Sequence, residues 1–331
     1  MTSRKASAAF PSTERARRGA AAHLAPCISC GAVRAPQWFP EGCSPESPAL
    51  CARGLYCQVP QPVAADLGAR SPADRHRAAV PRALDALVAR LGQPSQYGGG
   101  ARGLSVRWRT GAHTVVLTAR DDRCPQVSVV ETGELDCMEQ GAFLRAAEKA
   151  RRSAEGSELP FLWRLQPAGG ALPPPPVSRT PDWGELQRSL EALLRTWCSQ
   201  LEVQVGQDAA AFNIVSAADR RWRLCGMVSP EEDLTVFVDD RGGPGGPRGR
   251  AEMLQRGWQT FIPLLQVWDA VFERTDAGAA SAAALMVAEL RHRGVVAPRE
   301  LRLTDLSVGD EGQLDLPGLG IETVSSRQPG R

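Results

Sequence analysis

The sequence predicts an α+β protein: two tandem modules, each an antiparallel sheet of three to five strands with helices on one face, after a disordered N-terminal arm. Three observations carry this expectation. Leu84, Leu87, Val88 and Leu91 stand at i, i+3, i+4 and i+7, which places them on one stripe of a helix. At an offset of 106 positions, Leu190, Leu193, Leu194 and Trp197 repeat the stripe. Short runs rich in β-branched residues, separated by turn residues, follow each helix as in an antiparallel meander.

Within residues 1–77, ten Lys and Arg face five Asp and Glu, and nine prolines interrupt any periodicity. Such a segment buries too little apolar surface to offset its chain entropy, so a solvated basic arm is expected. A module over 78–166 follows: the helix 82–91, stopped by Gly92 and Pro94, then strand runs at 104–109, 113–118 and 126–131. A helix over 134–156 and a short strand over 159–165 complete it. Residues 167–181 contain four consecutive prolines and read as a linker. The second module, 182–308, opens with Asp182 as a cap candidate and Glu185 three residues on, an acidic variant of the capping box. Strand runs are expected at 201–205, 211–216, 221–228 and 234–238. The stretch 261–272 is ambiguous between strand and helix, a clearer helix covers 278–293, and a last strand covers 300–308. Residues 309–331 read as a C-terminal tail. The two modules are expected to be copies of one architecture.

The formal charge of +2 over 331 residues excludes a strongly basic nucleic-acid binder as the default. Apolar runs stay well short of a membrane span and the N-terminus has no apolar signal core, so no membrane association and a cytoplasmic location are expected. Among 39 basic residues only Lys5 and Lys149 are lysines. That bias warns against treating each arginine as a phosphate ligand.

Groups for acid–base chemistry are sparse. The four histidines are His23, His76, His113 and His292. No nucleophile elbow, zinc-protease helix or Walker loop occurs, and no catalytic or cofactor-binding residue is assigned. Gly98, Gly99 and Gly100 follow a helix, whereas phosphate cradles precede one. In the arm, Cys27 and Cys30 have the spacing of a zinc knuckle, and Cys43 with Cys51 would complete a four-thiolate site; reduced spectator thiols are the plainer reading. The remaining feature is aromatic. Arg107, Trp108 and Arg109 lie in one strand run, and Arg221, Trp222 and Arg223 in its counterpart. Alternation in a strand would bury each indole and turn its arginine neighbours outward. If the rings face outward instead, the two triplets form an aromatic and cationic face suited to a partner protein.

On residues 183–197, the meander 201–238, Gly257 and Trp258 at a helix end, and the helix 278–293 closed by Gly294, the second module resembles actinobacterial proteins of the type III secretion chaperone-like superfamily. The first module, with Leu91 to Pro94 followed by 104–109, is similar to an uncharacterised actinobacterial family associated with type VII secretion. The resemblance implies a non-enzymatic protein that binds another polypeptide, a secreted or toxin chain among the candidates, and commonly does so as a homodimer. The leading expectation is therefore a chaperone or immunity protein gripping a partner segment. The rivals are a zinc-containing nucleic-acid-associated protein using the cysteine arm, and an enzyme whose site assembles from scattered residues.

Overall fold

The computed structural model describes residues 72–119, 125–152, 159–167, 172, 175, 177, 180, 182–206, 210–218, 223–228, 233–240, 249–308 and 312–324, and short stretches at 25–26, 33–34 and 55–58. Most of the arm, with Cys27, Cys30, Cys43 and Cys51, lies outside them. So do Arg221, Trp222 and the glycine-proline segment 241–248. The described chain is α+β with antiparallel pairing between its strands. Among the described residues, no helix is long and apolar enough to cross a membrane.

The chain folds as two compact units, residues 1–94 with 107–132 and residues 95–106 with 133–331. This division is not the one expected from the sequence. In the first unit, helix α1 (Pro72–Leu91) buries Val80, Ala83, Leu84, Leu87 and Leu91. The helix starts ten residues before the stripe at 82–91 becomes regular. The end of strand β2 (Gly103–Arg109) belongs to this unit, with β3 (His113–Ala119) and β4 (Gln126–Glu131). β3 and β4 pair antiparallel from His113 opposite Glu131 to Thr118 opposite Gln126.

The second unit contains β1 (Tyr97–Gly100), the start of β2, α2 (Thr132–Arg152) from Gly133 onward, and β5 (Trp163–Pro167). Then come α3 (Trp183–Thr196), a π-helical turn (Trp197–Leu201), α4 (Glu202–Val205), β6 (Ala210–Ser216), β7 (Arg223–Val228) and β8 (Leu234–Asp239). They are followed by α5 (Arg250–Gln255), β9 (Thr260–Ile262), β10 (Val267–Phe272), α6 (Asp276–His292), β11 (Leu301–Val308) and β12 (Gly312–Asp315). Strand order in this unit is β9-β10-β8-β7-β6-β11-β12-β5-β1-β2.

Two expectations are corrected by this order. β1 and β5, assigned by sequence to the first module, pair with each other, and β5 pairs with β12 from the supposed tail. The reason is burial. Leu314, Leu316, Leu319 and Ile321 are each no more than 2% exposed, so residues 312–324 form core rather than a tail. The proline-rich stretch is likewise anchored at its described residues. The Thr180 hydroxyl donates to Leu319 O at 2.5 Å, and the Gln166 amide holds both backbone groups of Leu172.

Helix α3 behaves as its sequence demands. Asp182 accepts from the Glu185 amide at 2.8 Å, and Leu186, Leu190, Leu193, Leu194 and Trp197 are buried. The run 201–205, expected as a strand, is helical instead. One extra residue in the π turn re-aims the following side chains. Gln200 and Gln204, four apart, then lie on the same face as the leucines. The Gln204 amide donates to Gly98 O and accepts from Gly98 N, both at 3.1 Å, and Gln200 donates to Gly100 O at 3.1 Å. The glycine triplet makes this approach possible. A Cβ on Gly99 would lie 2.1 Å from Gln200 Oε1 and 2.9 Å from Trp163 Nε1.

Candidate functional site, an edge hairpin and an open sheet face

In the second unit, alternation decides which side chains reach the helices. Leu234, Val236, Val238, Phe212, Ile214, Trp268 and Ala270 join the core cluster with residues of α3 and α6. Their strand neighbours point the other way. Register aligns those neighbours in cross-strand rows. One row runs Thr260, Asp269, Phe237; another pairs Ile262 with Val267; a third pairs Val271 with Thr235. Ile262, Val267 and Phe237 are half-buried and Val271 is 40% exposed. The face is therefore apolar in its middle, with the carboxylates of Asp269 and of Asp239, opposite Val267, set into it.

Among the described residues β9 ends the strand order and has a neighbour on one side only. The chain then turns through residues 263–266 into β10, so the stretch left ambiguous between strand and helix is a hairpin. Leu264 at its tip is 92% exposed and Leu265 is 55% exposed. Burying one leucine side chain is worth roughly 1.5–3 kcal/mol, so displaying two together leaves a sizeable driving force unused. The tip is also well built. Gln266 adopts φ 54°, a left-handed conformation costing a non-glycine residue roughly 1–2 kcal/mol. Three hydrogen bonds hold it: Gln266 Nε2 to Pro263 O at 2.7 Å, the Leu265 amide to Ile262 O at 3.2 Å, and the Asp240 amide to Gln266 O at 2.9 Å. Where β9 stops short along β10, the Gln259 amide takes over as a strand surrogate. It accepts from Val271 N and donates to Val271 O, both at 3.1 Å. The edge open to a further strand is thus the outer side of β9.

Behind the hairpin, Glu289 of α6 fixes the turn that leads into it. The carboxylate is 1% exposed and accepts from Trp258 Nε1 at 3.1 Å, from Arg293 Nε at 2.7 Å and from Arg256. Arg293 also donates to Asp239 O at the end of β8. A carboxylate near a helix C-terminus opposes the helix dipole, and the two guanidinium groups offset that penalty. Sequence reasoning missed this cluster, because its members are separated by up to 54 positions and carry no motif.

The described triplet of the sequence-derived partner face keeps its indole inside. Trp108 is buried at 3% exposure, and its indole donates to Gly92 O at 2.8 Å, capping the end of α1. Arg107 departs from the expected outward orientation and is buried at 4%, because Val106, Arg107 and Trp108 are consecutive buried residues and alternation fails there. Arg109 is half-buried. Arg223 stands in β7 opposite Val215, while Arg221 and Trp222 lie outside the described residues. Trp163, Trp258 and Trp268 are core residues.

Other groups with potential chemistry are dispersed. Among the described residues no three His, Cys, Asp or Glu side chains cluster as metal ligands. The proposed thiolate site at Cys27, Cys30, Cys43 and Cys51 lies outside them. His113 is exposed on β3, and His292 lies 3.6 Å from Glu252 at the end of α6. Burial pushes the Cys198 thiol up, with the nearby Arg274 guanidinium opposing, so its thiolate fraction falls rather than rises. No protein-family model, curated protein or solved structure matches this chain.

Proposed function

We propose that the chain is a non-enzymatic, cytoplasmic protein that binds another polypeptide, in keeping with the resemblance to secretion chaperones, and that it docks its partner on the β9–β10 hairpin. One observation supports this most: a hairpin at the sheet edge holds Leu264 at 92% exposure on a strained turn fixed by three hydrogen bonds. Strain maintained by surrounding contacts is commonly tied to function. An edge strand beside an apolar face offers two kinds of contact to one partner: backbone hydrogen bonds along the edge, and contact for alternate side chains on the face. The site moves from the Arg-Trp-Arg triplets, whose described indole is interior, to a surface with its own unspent burial.

A photoreactive amino acid placed at position 264 of the full chain, in the cells that produce it, tests this. One defined polypeptide adduct is expected at 264 and none at Arg291, an exposed residue on α6. Val271→Asp should abolish the adduct while leaving circular dichroism unchanged. Equal labelling from both positions, or none from 264, would refute the proposal.

A further inference from the structure

We infer that the docked segment is an extended strand carrying an arginine or lysine, and that Asp269 receives that cation. This inference rests on the polypeptide-binding reading above. Asp269 lies on the same side of β10 as Val267 and Val271, between Thr260 on β9 and Phe237 on β8. One of its carboxylate oxygens, Oδ1, is buried and accepts no hydrogen bond. A buried acceptor left unmet is destabilising, more so when it is charged.

The geometry selects a strand. A chain added beside β9 lies two strand spacings from β10, roughly 10 Å. The residue between is Thr260, short and exposed, so a long basic side chain on the same face spans the gap over it. Its methylenes would cover Thr260 and Ile262 while its head meets the carboxylate. Apolar neighbours on the added strand would meet Ile262 and the leucines of the tip. A basic and apolar alternation is thus the chemistry this edge fits, and a glutamate at the same position would face Asp269 with like charge.

Acetylated nonapeptides alternating threonine and valine, with arginine, glutamine or glutamate at the centre, provide the test on the full chain. Binding is read from the methyl NMR signals of Leu264 and Val271. The arginine peptide should bind about tenfold more tightly than the other two. Asp269→Asn, whose spectrum should match the parent elsewhere, should bring the arginine peptide down to the glutamine peptide. Equal binding of all three would overturn the assignment of Asp269 while leaving polypeptide docking in place. Failure of every peptide to move either methyl signal would overturn the strand-addition site itself.

Discussion

Removal of the Glu289 carboxylate strips three donors of the second unit of one shared acceptor. In Glu289→Ala the indole of Trp258 and the guanidinium groups of Arg293 and Arg256 lose their common acceptor. Arg293 is the worst affected, since its side chain is 5% exposed and cannot regain water without opening the turn. Breaking a buried ion pair from one side costs roughly 3–5 kcal/mol, because the remaining charge stays desolvated. With about 4 kcal/mol lost and a urea dependence of about 2.5 kcal/mol per molar, the unfolding midpoint should fall by roughly 1.6 M. Glu289→Gln keeps an acceptor for one donor and should fall by roughly half as much. Urea titration of the full chain, followed by tryptophan fluorescence, measures both. A Glu289→Ala midpoint within about 0.3 M of the parent would refute the assignment of this carboxylate as the anchor of the hairpin's base.

Other substitutions separate packing from polar satisfaction. Gln204→Leu orphans the amide and carbonyl of Gly98, at roughly 1–3 kcal/mol each, and should speed hydrogen exchange at Gly98; unchanged exchange would contradict the role of Gln204 as partner of both groups. Arg164 and Asp315 form a buried pair at 2.7 Å across β5 and β12, so Arg164→Met alone should cost roughly 3–5 kcal/mol. Adding Asp315→Leu should recover most of that in chemical denaturation, and an additive double variant would contradict the pairing. Because burial raises its pKa and covers its sulfur, Cys198 should alkylate more slowly near pH 8 than the exposed Cys137, as read by mass spectrometry. Denaturant should erase the difference.

What could be read from the sequence is what depends on local periodicity. The stripe from Leu190 to Trp197 needs only the 3.6-residue repeat, and Asp182 needs only its distance to Glu185. The β-branched runs at 211–216 and 234–238 declare themselves in the same way. Long-range satisfaction leaves no such trace. β12 reads as tail because Leu314, Leu316, Leu319 and Ile321 are spread among glycine, proline and acidic residues, and only pairing with β5, about 150 positions earlier, makes them interior. β1 goes unrecognised because its three glycines, weighed only as a phosphate cradle, carry no strand pattern. Here they admit the amides of Gln200 and Gln204, a requirement set from 100 and 106 positions away. The Arg-Trp-Arg triplets drew attention as candidates for contact, yet Trp108 serves the end of α1. The hairpin passed as ambiguous because 261–272 mixes apolar residues without either period, and the exposure of Leu264 is a property of the turn rather than of its residue type.

Hydrogen exchange at Thr260, Phe261 and Ile262, measured on the full chain alone and bound to the polypeptide trapped at position 264, tests the docking of a partner on this edge most directly. Strand addition predicts exchange slower by about tenfold or more at one or more of these amides, with α6 unchanged. Equal rates in the free and bound chains would contradict it.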